Sequence, residues 1–255
     1  MAIANRLAQQ SRASPPGWHA HYGAIAGCNG RGGALREMLM ASPWGRTLTA
    51  DDFAVACGGI VERRVVAGQF VCRKGDQVDY WYGVIDGLVK LSSDWISGKT
   101  ATLGGVSAGG WFGEGYMLKN EPRRFDAVAL RDSGIACMRR KTFDWLFENS
   151  LGFNRFLVHQ LNERLGQIIG QLESERLTDI DARVARTLAG LFHLAFSPGD
   201  ENYLAISQQE LGDFAGVSRQ RVNRSLQALK DAGIVALEYG GITVLDRDGL
   251  RRLGG

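Results

Sequence analysis

The 255-residue chain has no apolar run approaching the ~18 residues that a membrane-spanning helix needs. Its first residues, MAIANRLAQQSR, lack the apolar core of a signal peptide. No membrane partner is expected, and the cytoplasm is the expected compartment. Cysteine is scarce: Cys28, Cys57, Cys72 and Cys137 form neither a CxxC nor a paired spacing, so free thiols are expected rather than disulfides. A charge excess is also missing. The net charge is only +3, and residues 207–255 hold seven Lys/Arg against six Asp/Glu. Total charge therefore names no partner, and a nucleic-acid signal has to come from where the charges sit. No nucleophile–base pair, metal spacing or P-loop is found, so no enzyme is expected.

With 45% hydrophobic residues, the chain is long enough for two cored domains. Residues 1–33 are rich in Gly, Ala, Ser and Pro without periodicity and read as a loose extension. Its histidines, His19 and His21, stand without a second ligand cluster, so a solvated tail is expected over a metal site. From Leu35 to about Val61 two short helices are predicted, broken at Ser42-Pro43; Thr49 or Asp51 caps the second and Gly58-Gly59 stops it. Between about Val65 and Arg140, short runs rich in Val, Ile and aromatics are punctuated by Gly or Asp. That spacing predicts an antiparallel sandwich or barrel. One segment, GGWFGEGYMLKNEPRRF, is too glycine-rich and broken to be another strand.

TFDWLFENS predicts a short helix, and the sequence from Leu151 a long one of about 27 residues, ~40 Å at 1.5 Å per residue. Val158, Leu161, Leu165, Ile168 and Leu172 alternate gaps of three and four, which is a heptad seam. Packing on its own domain is one reading of this seam. Self-association into a homodimer is the favoured one, with Phe156, Leu157 and Ile169 beside the seam. A further helix, DIDARVARTLAGLFHLAF, starts at a Thr178 or Asp179 cap and ends at Ser197-Pro198-Gly199, with His193 expected in its core.

Ser207 and Glu210 form a capping box that starts a helix with Leu211, Phe214 and Ala215 as its buried stripe. Gly212 admits a close neighbour and Gly216 stops the helix in a tight turn. Ser218 then caps a second helix buried through Val222, Leu226 and Leu229. Arg219, Gln220, Asn223 and Arg224 fall on its opposite face, with Arg221 at the edge. A solvated surface helix usually mixes in acids, and this one has none before Asp231. Arginine forks onto guanine, and Gln or Asn onto adenine, so double-stranded DNA is the expected partner of a helix-turn-helix. GIVALEYGGITVLD predicts a hairpin around Gly240-Gly241, a wing with Tyr239 near its tip.

In this order the segments resemble the CRP/FNR family of bacterial transcription regulators over roughly residues 43–248. SRQRVNR resembles the family's recognition helix; FGE (112–114) with PRR (122–124) resembles its phosphate-binding cassette. The resemblance implies an α+β fold: an antiparallel, cyclic-nucleotide-binding-like β-roll over 34–150, a dimerisation helix over 151–176, and a winged helix-turn-helix over 177–255. It implies base reading by Arg219, Gln220 and Arg224 on a near-palindromic operator, and RNA polymerase as a further partner if the protein activates. The family often has glutamate where Gln220 stands, so the half-site is expected to differ. An effector would meet Gly113, Glu114, Arg123, Arg124, Phe125 and Ile168. In cyclic-AMP-binding members a glutamate holds the ribose and an arginine the cyclic phosphate, positions matched by Glu114 and Arg124. Phe125 replaces a small hydroxyl, Asp126 adds a carboxylate, and Ile168 and Ile169 replace adenine-facing hydroxyls. Cyclic AMP is therefore not expected, and the effector and any cofactor stay unidentified. The oxygen-sensing branch's N-terminal cysteine cluster is reduced to Cys28, and haem has no clear ligand. Cys72 and Cys137 are expected to be inert, buried thiols.

Overall fold

A computed structural model describes residues 33–94, 100–176, 179–192 and 202–254. Helices α1 (Gly33–Ala41) and α2 (Ala50–Gly59) lead into the strands, and Thr49 caps α2 by accepting the Asp52 N–H at 3.1 Å. Helix α2 ends at Gly59, where the first strand takes over, so Ile60 and Val61 are extended rather than helical.

Strands β1 (Ile60–Val65), β8 (Ser133–Arg139), β3 (Tyr80–Asp86) and β6 (Trp111–Phe112) form one antiparallel sheet in that order. Strands β2 (Phe70–Cys72), β7 (Asp126–Ala129), β4 (Leu88–Asp94) and β5 (Thr100–Ser107) form the second. Side chains alternate faces along a strand. Tyr82, Val84, Ile135 and Cys137 therefore point between the sheets, where they meet Val89, Leu91, Phe112, Phe125 and Ala127. Their neighbours Trp81, Ala136 and Met138 face outward against Trp44, Trp111, Phe143 and Phe153. The first sheet is thus apolar on both faces. The glycine-rich segment read as strandless contains the two-residue β6 and the short helix α3 (Glu114–Lys119): Tyr82 and Gly83 of β3 pair with Phe112 and Trp111.

Helix α4 (Arg140–Asn149) is followed by α5 (Leu151–Arg176), the long helix, and by α6 (Ile180–Leu191), capped by Asp179. Helix α6 ends at Leu191, earlier than the sequence suggests. The N–H of Phe192 turns back to Ala189 and Gly190, and the buried Ser107 hydroxyl donates to the Leu191 carbonyl at 2.8 Å. His193 and the expected stop at Ser197-Pro198-Gly199 lie outside the described residues, as do His19, His21 and Cys28.

Helices α7 (Gln208–Ala215) and α8 (Arg219–Asp231) follow, then a three-stranded sheet of β10 (Val235–Glu238), β11 (Gly241–Val244) and β9 (Tyr203–Leu204). A last helix, α9 (Arg247–Gly254), goes beyond the sequence reading; Asp246 starts it by accepting the Gly249 N–H at 2.8 Å. Val184, Leu188, Leu211, Phe214, Val222, Leu226, Val235, Ile242 and Leu250 share the core of this C-terminal domain. No described helix is long and apolar enough to cross a membrane.

Candidate DNA-binding face and roll interior

The turn between α7 and α8 follows from local chemistry. Ser207 and Glu210 exchange both capping-box bonds, and Gly216 adopts φ 65°, the left-handed region glycine enters freely. At Gly212 a Cβ would lie 2.8 Å from the Val217 carbonyl oxygen, so only glycine lets the turn close onto α7. Arg183 of α6 braces the turn by donating to the Ala215 carbonyl at 2.8 Å. Ser218 stands at the N-cap of α8, but its side chain makes no capping bond, a departure from the sequence reading.

Helix α8 buries Val222, Ser225, Leu226 and Leu229. Ser225 donates to the Asp181 carboxylate, tying α8 to α6. Arg219, Gln220, Arg221, Asn223 and Arg224 are all exposed, with Ser218 beside them at the helix start. Among the described residues none of these three arginines takes part in an ion pair. Asn223 accepts from Gln208 at 3.2 Å. An exposed row of uncompensated guanidiniums and amides, led by a helix N-terminus, suits phosphates and base edges. The β10–β11 hairpin follows it, with Tyr239 fully exposed at the tip.

The cassette residues fall differently from their sequence reading. Arg123 and Arg124, adjacent in the chain, point opposite ways. Arg124 has a side chain 75% exposed and pairs with Glu121 at 3.3 Å, so it does not enter the roll. Arg123 is buried: its Nη2 donates to the Tyr80 carbonyl at 2.5 Å and its guanidinium lies 4.8 Å over the Tyr82 ring. Its Nε and Nη1 are buried with no hydrogen-bond partner. Backbone bonds from Gly75 to the Arg123 carbonyl (2.7 Å) and from Arg123 to the Asp76 carbonyl (3.0 Å) fix that orientation.

Glu114 is 2% exposed and turns to the long helix, where Arg164 donates to its Oε1 at 2.5 Å. Phe125 is buried between the sheets, its ring 5.4 Å from Tyr116 and 6.3 Å from Phe112. Asp126 accepts the Lys74 N–H at 2.8 Å. Gly113 caps α3 in the left-handed region. Burial pushes the Cys72 and Cys137 thiols up to about 11, and pushes the Tyr82 phenol up in the same way. Burial thus favours the protonated thiol over the thiolate at both positions. Among the described residues no group of His, Cys, Asp or Glu is placed to hold a metal ion.

On α5, Phe156 and Leu157 turn into the roll's outer core, so they do not belong to the seam. Val158 (68%), Leu161 (38%), Leu165 (55%), Ile168 (55%) and Ile169 (48%) are exposed. Ile168 lies on this outward face, not inside the roll. The side chain of Leu172 lies outside the described residues.

A β-roll joined through a long helix to a winged helix-turn-helix with an open cationic face defines a DNA-binding transcription regulator. Comparison with known proteins agrees. A model of the cyclic nucleotide-binding domain matches residues 62–150, and one of the Crp-like helix-turn-helix domain matches 182–253. The chain is 27% identical over 206 residues to the "Cyclic AMP receptor protein" of Thermus thermophilus, covering 81% of this chain and 94% of that one. It is 26% identical over 184 residues to "Transcriptional activator protein FnrL" of Cereibacter sphaeroides, covering 69% and 73%. A solved CRP/FNR-family transcriptional regulator from Thermus thermophilus superposes with TM-score 0.53 at 26% identity, covering 76% of this chain and 97% of that one. The chain belongs to the CRP/FNR family of transcription regulators.

Proposed function

We propose that the protein acts as a homodimer that reads a near-palindromic operator through its two copies of α8. The observation that carries this is the exposed row Arg219, Gln220, Asn223 and Arg224, with Arg221 at its edge and no acid opposing it. Arg219 and Arg224 contact base edges or adjacent phosphates, Gln220 reads a base, and Ser218 and Arg221 hold the backbone. Dimerisation runs along the exposed apolar positions Val158, Leu161, Leu165 and Ile168 of α5, continuing to Leu172. A row of apolar side chains at heptad spacing in water favours a second copy. In this reading residues 34–150 are the roll domain, 151–176 the dimer helix and 177–255 the DNA-binding domain. RNA polymerase joins as a partner if the outcome is activation. Selection from a randomised duplex library at fixed salt tests the reading. An enriched inverted repeat with half-sites about one helical turn (~34 Å) apart is the expected result, and enrichment without symmetry overturns it.

For the roll, two readings each have an observation behind them. The buried Arg123, with Nε and Nη1 unpartnered, favours a small-molecule effector with an anionic group. Phe125, packed among Phe112 and Tyr116, favours a roll that fills itself and acts as a structural or protein-interaction module. A thermal-shift screen of small-molecule anions separates them, because a ligand that binds only the native state raises its melting temperature.

A further inference from the structure

The roll touches the DNA-binding domain directly, apart from the connection through α5. Arg131, in the β7–β8 turn, donates to Oε1 of Glu210 at 3.1 Å, and both side chains are about three-quarters buried (28% and 25% exposed). Oε2 of the same carboxylate accepts the Ser207 N–H at 2.7 Å, so one side chain both caps α7 and holds the roll. Ser107 at the end of β5 donates to the carbonyl of Leu191 at 2.8 Å, one of the last-turn groups of α6 that has no partner within the helix. Gly105 stands two residues before it on the same strand. A Cβ there would stand 2.6 Å from Leu191 Cδ2 and 3.0 Å from the Phe214 ring, so a side chain at this position has to push the ends of Leu191 and Phe214 aside where β5 meets α6 and α7. Leu88, at the start of β4, is fully buried in the core of the DNA-binding domain.

We infer that Arg131, Glu210, Ser107 and Gly105 form a dock that sets the orientation of the DNA-binding domain on the roll, and so the operator spacing the protein accepts. The inference rests on the dimeric, palindrome-reading function proposed above. Helix α8 hangs from α7 through the tight turn at Gly216, so fixing α7 on the roll fixes the reading helix. The reading residues stay exposed while the dock is closed, so the dock aims that face without covering it. Two reading helices held at a set separation bind the second half-site as an intramolecular event, and that gain disappears when the geometry is wrong. These are positioning residues; none of them lies on the reading face.

The test uses the full chain and compares wild type with Gly105→Leu, Arg131→Ala and the conservative Arg131→Lys. Each is titrated at fixed salt onto symmetric operators whose spacers are lengthened or shortened by a base pair, and onto a single half-site. Wild type is expected to prefer one spacing. Gly105→Leu and Arg131→Ala are expected to lose about tenfold on that spacing while matching wild type on the half-site, which flattens the spacing profile. Arg131→Lys keeps a cation at Glu210 and is expected to retain the profile. A wild-type spacing profile in both Gly105→Leu and Arg131→Ala overturns the inference. So does a gain of affinity in either, because the contact then restrains the domain from DNA. A wild type indifferent to spacing removes the palindrome reading itself, and the inference with it. Arg131→Ala is a truncation outside the three apolar cores, so the question stays answerable if Gly105→Leu misfolds.

Discussion

Arg164 of the long helix donates to the buried Glu114 carboxylate of the roll at 2.5 Å, and its Nη2 reaches the Trp111 carbonyl at 2.7 Å. The arginine is 28% exposed and the glutamate 2%, so the pair lies mostly out of water. Breaking such a pair from one side strands a buried charge. Arg164→Met should lower unfolding stability by about 3 kcal/mol, and adding Glu114→Gln should recover most of the loss. Denaturant titration with an unchanged m-value measures both. A single variant as stable as wild type would show that the carboxylate finds another partner.

The α5 seam makes a separate prediction. Leu165 is 55% exposed in a single copy. Leu165→Asp places an unpaired charge at the dimer contact and should cost several kcal/mol of association free energy, shifting the protein to monomer. Sedimentation at micromolar concentration distinguishes the masses. Equal masses for variant and wild type exclude the seam as the interface.

Cyclic AMP should bind weakly or not at all. Phe125 occupies the interior beside the buried Arg123, while Ile168 and Ile169 lie on the outward face of α5 and offer no hydrogen bond. A micromolar or tighter dissociation constant by calorimetry contradicts this. Truncating the ring also has a cost: Phe125→Ala should destabilise the fold by about 3–5 kcal/mol, as a buried aromatic lost from a packed core does.

Gln220→Ala should flatten base preference at one position of each half-site, at a cost of roughly 1–3 kcal/mol. Arg221→Ala should weaken all sequences alike and reduce the salt slope, because a phosphate contact carries no sequence information. Specificity profiles on a randomised operator library decide. An unchanged Gln220→Ala profile means that α8 is not seated in the groove as argued.

Two thiols should resist modification. A thiol at about 11 in place of the ordinary 9.0 holds about 100-fold less thiolate at pH 8. Cys72 and Cys137 should therefore escape alkylation in the native protein and react once it is unfolded, with the half-buried Cys57 reacting ahead of them. The unfolded thiols ionise near 9 and the folded ones near 11. Their contribution to stability is complete below about pH 9 and is lost as the pH rises towards 11. Mass spectrometry of labelled native protein finding Cys137 as reactive as Cys57 would count against this burial.

The helix-turn-helix was legible in the sequence because every signal that makes it is local. Ser207 and Glu210 cap within one turn, Gly216 supplies a positive φ, and Val222, Leu226 and Leu229 repeat at helical spacing. The same holds for the extent of α5 and for the alternating strands. Helix α9 has readable signals too, in Asp246 before it and in the Leu250–Leu253 spacing, but they are weak in so short an element.

Other features depended on which surfaces meet. Nothing local separates Arg123 from Arg124. In an extended chain neighbours face opposite sides, and backbone bonds to Gly75 and Asp76, far away in sequence, decide which arginine goes in. Helix α6 stops at Leu191, where a serine of the roll donates to its carbonyl. Phe156 and Leu157 sit beside the seam in the sequence yet pack inward, since the roll covers that side of α5. The sequence determined most of the elements and the exposed polar face of α8, through short-range bonds and apolar periodicity. Tertiary packing alone decided which charges are buried, what partners Glu114, and how the roll grips the DNA-binding domain, because those contacts join residues dozens of positions apart.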